Sequence, residues 1–221
     1  MTDSSIMTDI GLMGGMFDPV HLGHLAIANA SLALLKIDRL DLLPCGQPVH
    51  GKSLSASAQA RSDMLSLAIA GVPGLAIDDR ECRSREPSYT CLTLKAIRAE
   101  RPGARLYYIL GQDAFNQFHT WYQWQDILDL VHVVVAARPG YQPELESSVR
   151  QALDERGVAH ADELKLALAG NILVAELALH DISSSQVRAE IASGRTVGKL
   201  VPAPVARYIE EHALYQQETE H

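Results

Sequence analysis

An apolar stretch, Ile10–Met13, runs into two adjacent glycines, and a short loop later the chain takes up a helical apolar period near Leu22. Strand, glycine turn and helix in that order open a βα unit, and the strand of such a unit is continued by parallel neighbours reached through crossover helices. The rest of the chain repeats the theme. Short apolar runs predict strands at Ile10–Met13, Leu40–Leu43, Leu75–Ile77, Leu106–Leu110, His132–Ala136 and Ile172–Ala175. Helical periods between them predict helices over Leu22–Lys36, Ala58–Ala70, Thr90–Glu100, Trp121–Leu130, Glu144–Arg156, Ser184–Ser193 and Pro204–His212. The fold class is therefore α/β, a parallel sheet covered by helices.

Punctuation supports several of these elements. Ser88 precedes a run that ends near Arg101-Pro102-Gly103, and Ser183 or Ser184 can cap a run that closes at Gly194. Gly46–Ala60 is rich in Gly, Ser and Ala and reads as a mobile loop. Residues 141–170 are polar and read as a peripheral insertion with a helix but no recognisable chemistry. A single domain over 10–214 is expected, with a flexible tail at 1–9, where Met7 is an alternative start, and a second tail at 215–221.

The 221 residues are 47% apolar and 21% charged, enough for a full core and outside the disordered range. A formal net charge of −8 disfavours a phosphate-backbone binder, because that affinity comes from Lys and Arg, while a small anionic ligand needs only a local basic pocket. Cys45, Cys82 and Cys91 form no CxxC pair, which argues against a zinc knuckle or a disulfide framework and for a reducing cytosol. The acidic start lacks the pattern of an export signal, and no apolar run is long enough to span a bilayer.

The chemistry sits in Gly14-Gly15-Met16-Phe17-Asp18-Pro19-Val20-His21-Leu22-Gly23-His24. Glycines let backbone approach a ligand, and the N–H groups and dipole of the following helix favour an anion. His21 and His24 lie three apart, on one face of a first helical turn, where both can donate to one phosphate. A glycine turn with two surface histidines is the bland alternative, but chance agreement at Gly14, Gly15, Phe17, Pro19, His21, Gly23 and His24 is on the order of 1 in 10⁹ per start position. A second segment, Ile182-Ser183-Ser184-Ser185-Gln186-Val187-Arg188, clusters hydroxyls and open N–H groups at a helix start with Arg188 one turn inward.

The first string resembles the GGxFxPxHxGH element of the HxGH nucleotidyltransferase superfamily, and the second resembles its ISSTxIR segment. That resemblance implies a Rossmann-like, doubly wound, mainly parallel sheet with helices on both faces and a nucleotide at the carboxyl ends of the strands. Pro87-Ser88-Tyr89-Thr90, Gly111-Gln112-Asp113 and Thr120-Trp121-Tyr122-Gln123-Trp124 further resemble the bacterial nicotinate-mononucleotide adenylyltransferases, from Gly14 through Val201-Pro202 to Tyr208. The resemblance implies an enzyme that joins the AMP unit of ATP to nicotinate mononucleotide in NAD biosynthesis, with release of pyrophosphate.

On that reading His21, His24 and Arg188 are catalytic, holding the ATP phosphates, and Gly14, Gly15, Met16 and Phe17 with Ser183, Ser184 and Ser185 line the nucleotide site. The nicotinate ring stacks on Trp121, its carboxylate meets donors of Thr90, Cys91 and Tyr122, and Trp124 belongs to packing. Asp113, after Gly111, faces the acceptor ribose or caps a helix, and Arg138 faces nucleotide or covers a strand end. His50 and Lys52 are the basic positions of the first loop, although the lysine falls one place later than the family pattern has it. Met16 stands where the family has threonine, and Ser185 replaces another threonine with its hydroxyl retained. Magnesium is expected to arrive on ATP, with no protein metal ligand and no tightly bound cofactor. Expected partners are ATP and nicotinate mononucleotide, with no nucleic acid or membrane, in a monomer or homodimer. Competing readings are another acceptor, a nonenzymatic nucleotide sensor and a nucleotide hydrolase.

Overall fold

The computed structural model describes residues 8–49, 54–177 and 181–216. The strands are β1 (Asp9–Gly15), β2 (Leu40–Pro44), β3 (Leu75–Ile77), β4 (Arg105–Gly111), β5 (His132–Ala137), β6 (Gly157–Val158) and β7 (Ile172–Glu176). They form a seven-stranded sheet in the order β3-β2-β1-β4-β5-β7-β6. The order reverses direction between β1 and β4, the topological switch point of a doubly wound sheet, where ligands sit beyond the carboxyl ends of the strands. Here β1 pairs with β4 in parallel, Met13 opposite Ile109, and the two neighbouring strands end at Gly15 and Gly111.

The helices are α1 (Leu22–Leu35), α2 (Ala58–Ile69), α3 (Arg80–Arg83), α4 (Thr90–Glu100), α5 (Gln112–Asn116), α6 (Trp124–Leu130), α7 (Ser147–Arg156), α8 (Ser184–Ala192) and α9 (Ala203–Glu211). All six residues of β5, HVVVAA, are buried, so both faces of this strand are covered, as an uninterrupted apolar run in a parallel sheet requires. Contacts divide the chain into two compact units. One comprises the described residues of Met1–Gly14, Ala30–Asp41 and Tyr89–Ala178, the other those of Gly15–Asn29, Leu42–Ser88 and Leu179–His221.

Element limits follow local chemistry where they depart from expectation. Ser88 does not cap α4: the N-cap is Tyr89, and the Ser88 hydroxyl instead accepts from Gly46 N at 3.0 Å and Gln47 N at 3.1 Å. A Cβ at Gly46 would lie 2.1 Å from Glu81 O, so only glycine fits that turn. The helix expected from Trp121 begins at Trp124, because Gln123 adopts φ 48°, a left-handed conformation that breaks the helical run. Residues Phe118–Thr120 form a 3₁₀ turn instead. α7 starts at Ser147 rather than Glu144, where the Glu146 carboxylate accepts from Ser148 N at 2.8 Å.

Residues 141–170, expected as a peripheral insertion, supply the edge strand β6, paired in parallel with β7. Arg105 anchors them: its guanidinium donates to Ala167 O at 2.9 Å and Lys165 O at 2.7 Å, and meets Asp9 at 2.7 Å. Of the expected N-terminal tail, 1–7 lie outside the described residues, and Asp9 already belongs to β1. The expected loop is described up to 49 and from 54, and Ser57 caps α2 by accepting from Ala60 N at 3.2 Å.

Phe118 is the aromatic hub of the 3₁₀ turn. It is fully buried and packs against Phe115, Trp121 and Trp124 at centroid distances of 5.9, 5.3 and 5.6 Å. Both tryptophans are only half-buried. Phe118→Ala should therefore cost about 3–5 kcal/mol, the range for deleting a buried aromatic ring, and Trp124→Ala clearly less. Urea denaturation of both variants checks the ranking, and equal or inverted losses would contradict the assignment of Phe118 as the hub.

Candidate functional site

The candidate site residues fall into two groups, one in each compact unit. In the first, the loop from Gly15 to the start of α1 brings the two histidine rings face to face, 3.6 Å between centroids and 24° from parallel. The rings cap one another's backbone: His21 N donates to His24 Nδ1 at 3.2 Å, and His24 N donates to His21 Nδ1 at 3.3 Å. A backbone N–H can only donate, so each Nδ1 is unprotonated and each neutral ring carries its hydrogen on Nε2. The reciprocal bonds thereby present two Nε2–H donors. Gly23 leaves room beneath them, since a Cβ there would crowd His21 Nδ1 at 3.0 Å.

Burial pushes the His21 imidazole down to about 4. His24 is also held well below the ordinary histidine range, by burial first and by repulsion from His21 second. Both rings are neutral at physiological pH, donors rather than fixed charges. The α1 N-terminus is less open than the sequence implies: Leu22 N donates to Leu200 O at 2.9 Å, and His24 N is taken by the His21 ring. The glycines likewise answer to packing. A Cβ at Gly14 would lie 2.2 Å from the Tyr108 hydroxyl, and one at Gly15 would lie 3.0 Å from the Phe17 ring. Phe17 is buried at φ 47°, with its ring edge-on to His24 at 4.9 Å.

Fixed positive charge in this unit comes from arginines. Arg188, on α8, donates through Nη1 to Asp18 O at 2.7 Å and through Nη2 to Ser185 Oγ at 3.4 Å. Ser183 is the cap of α8, accepting from Gln186 N at 3.1 Å, and Ser184 donates to Pro19 O at 3.0 Å. The three hydroxyls thus shape the site, while the N–H groups of Ser184 and Ser185 remain without intrahelical acceptors at the positive end of the helix. Arg61, on α2, is fully buried and donates to Met16 O at 2.7 Å and Gly46 O at 3.4 Å. It ties the loop after β1 to the loop after β2, and its Nε has no hydrogen-bond partner among the described residues.

The second group gathers around the start of α4. Thr90 and Cys91 open the helix, where their N–H groups lack intrahelical acceptors. Tyr122 is 46% exposed, its ring 4.7 Å from that of Tyr89. Trp121 sits edge-on to Tyr108 at 6.1 Å. The intervening segment is braced by Gln123, whose Oε1 accepts from Lys95 Nζ at 2.9 Å and from the Cys91 thiol at 3.7 Å. Cys91 therefore spends its side chain on packing and offers only backbone. At the end of β4, Gly111 is the N-cap of α5 and a Cβ there would meet nothing within 4 Å, so packing does not explain this glycine. Asp113 lies exposed in the first turn of α5, not at its cap. Arg138 is exposed, with its backbone N–H held by Gln112 Oε1 at 2.9 Å.

His50 and Lys52 lie outside the described residues. Among the described residues no group of three or more His, Cys, Asp or Glu side chains stands ready to hold a metal ion, and no helix is long and apolar enough to cross a membrane. Sequence reasoning passed over Asp18, Arg61, Tyr108 and Gln123. Asp18 and Gln123 lay inside segments already singled out, and Arg61 and Tyr108 carry no local signature.

Comparison with known proteins identifies the family and the fold. A family model described as cytidylyltransferase-like matches residues 12–190. A protein of Acidithiobacillus ferrooxidans, named as a probable nicotinate-nucleotide adenylyltransferase, is 40% identical over 214 residues, covering 96% of this chain and 98% of that protein. A protein of the same name from Pseudomonas syringae pv. tomato is 41% identical over 208 residues, covering 94% and 93% of the two chains. The Plasmodium falciparum nicotinic acid mononucleotide adenylyltransferase solved in complex with NaAD shares the fold, with a TM-score of 0.71 at 19% identity, over 94% of this chain and 97% of that one. With full-length relatives at this identity, an unbroken HxGH element and the matching sheet, the chain belongs to the nicotinate-nucleotide adenylyltransferase family.

Proposed function

We propose that this protein transfers the adenylyl group of ATP to nicotinate mononucleotide, giving nicotinate adenine dinucleotide and pyrophosphate, in the cytosol. The observation that carries the reading is the reciprocal capping of His21 and His24, which aims two neutral N–H donors from one rigid turn. Such a pair suits an oxyanion that gains charge during phosphoryl chemistry, and it does not act as a base. The family relatives at about 40% identity bear this name over their whole length.

Derived from these residues, the reaction needs no enzyme nucleophile. The acceptor 5′-phosphate has a second pKa of about 6 and is largely ionised at neutral pH, so its oxygen attacks the α-phosphorus directly. One P–O bond forms as the bond from the α-phosphorus to the bridging oxygen breaks, and the electron pair leaves with pyrophosphate. His21 and His24 donate to the phosphate oxygens, Arg188 supplies fixed charge, and the Gly15, Met16 and Phe17 backbone, braced by Arg61, with Gly14 and Ser183–Ser185, positions the chain of phosphates. Magnesium enters with its substrate as MgATP.

For the acceptor, the N–H groups of Thr90 and Cys91 and the exposed Tyr122 supply donors to a carboxylate, Trp121 supplies a ring edge or face, and Asp113 a partner for ribose hydroxyls. Arg138, His50 and Lys52 complete the proposed set of nucleotide contacts. We propose that the protein acts as a monomer or homodimer.

The acid should be strongly preferred over the amide as acceptor, because an amide turns its own NH₂ toward donors and leaves buried groups unpaired at about 1–3 kcal/mol each. Equal kcat/KM for nicotinate and nicotinamide mononucleotide would remove the acceptor assignment. His24→Ala should lower kcat by on the order of 10² or more, through loss of one oxyanion donor, with an unchanged circular dichroism spectrum. Wild-type turnover in that variant would place the phosphate elsewhere.

The histidines also set a pH dependence of stability. Because folding depresses the His21 pKa from 6.5 to about 4, the unfolded chain binds more protons across that interval. Stability from this group is intact above pH 6.5 and is lost as the pH falls toward 4, by about 3 kcal/mol in all. Urea denaturation across that window should show a shallower loss for His21→Asn than for wild type. Parallel curves would mean that His21 is not held neutral by the fold.

A further inference from the structure

Asp18 presents two different groups to its surroundings. Its backbone carbonyl accepts from Arg188 Nη1 at 2.7 Å. Its carboxylate, in a residue only 2% exposed, accepts from Ser55 N at 2.7 Å, Ala56 N at 3.1 Å and the Tyr215 hydroxyl at 2.7 Å. Tyr215 lies beyond α9. The chain reaches Asp18 through Ala213 at φ 49° and Tyr215 at φ 63°, left-handed conformations that residues other than glycine seldom adopt. Burial and the Asp18 carboxylate raise the Tyr215 phenol above its ordinary range, so it stays a donor throughout the working pH range, while the Arg188 charge acts on it in the opposite sense. Carboxylate, phenol and guanidinium therefore form one cluster.

We propose that Tyr215 is a positioning residue for the phosphate centre: its hydroxyl occupies the Asp18 carboxylate and keeps it from pairing with Arg188, which is held instead by a neutral carbonyl and retains its charge for ATP. This rests on the reading that Arg188 meets the polyphosphate. Guanidinium and carboxylate groups frequently form bidentate pairs, a geometry that suits the planar fork of arginine. Arg188 is already bonded to Asp18, yet through the carbonyl oxygen. Without the phenol, Oδ1 keeps only the Ala56 N–H, and the cheapest replacement for the lost donor is the Arg188 guanidinium swinging from the carbonyl to the carboxylate. An ion pair formed there would neutralise the charge before substrate arrives.

Tyr215→Phe keeps the ring and removes the hydroxyl. Calorimetry with MgATP and with a non-transferable ATP analogue should show about tenfold weaker binding, the equivalent of one charge-assisted hydrogen bond, while the KM for nicotinate mononucleotide moves by less than about twofold. In an Arg188→Ala background the same substitution should have no further effect on ATP binding, because the two residues act in series. Additive losses in that cycle would overturn the inference, as would equal rises in both KM values accompanied by a fall in melting temperature, the pattern of a structural role. Should wild type bind the analogue in a Tyr215-dependent way but form no dinucleotide, the proposed reaction fails and this inference stands. If wild type forms dinucleotide and Tyr215→Phe matches it in every measurement, this inference alone fails.

Discussion

The parallel pairing of β1 with β4 is the constraint on which the rest is built. With Met13 opposite Ile109, the carboxyl ends of both strands finish side by side, and the Tyr108 hydroxyl fills the space where Gly14 would carry a Cβ. An alanine at Gly14 would have to move a tyrosine that is 3% exposed within the central strand, so strand register and motif glycine depend on each other. Trp121 leans its edge on the same Tyr108, so the end of β1 and the aromatic segment share one support.

In the other unit, charge is handled by neutralising some groups and insulating others. The histidines are kept neutral by burial and by each other, so they offer directed donors without the desolvation cost of two buried cations. Arg61 carries its charge in full burial, where it braces two loop carbonyls. Arg188 is held by a carbonyl and a serine hydroxyl, partners that orient a guanidinium without cancelling it. This unit thus combines neutral donors on the turn before α1 with a cation on α8 whose charge no carboxylate cancels.

Glycine and serine positions in the two motifs acquire sharper meanings in three dimensions. A Cβ at Gly23 would crowd the His21 ring and one at Gly46 would strike the Glu81 carbonyl, whereas Gly111 has open space where a side chain would be. Ser183, Ser184 and Ser185 divide their hydroxyls among a helix cap, the Pro19 carbonyl and Arg188.

The alternation of apolar runs and helical periods was enough to place β3 and α4 at their observed limits and to identify the α/β class, because those signals are local and repeat at fixed spacing. The string from Gly14 to His24 was equally legible, since HxGH at three-residue spacing on a helix start already puts both rings on one side. The tautomer of those rings, the left-handed Gln123 that shortens α6, and the change of Ser88 from helix cap to loop brace were decided only by tertiary contacts. So was the meeting of Asp18 with Tyr215, residues 197 apart in the chain. Local pattern records which face a residue turns; it carries no record of which distant donor completes a buried acceptor, and that pairing is settled only when the whole chain has closed around it.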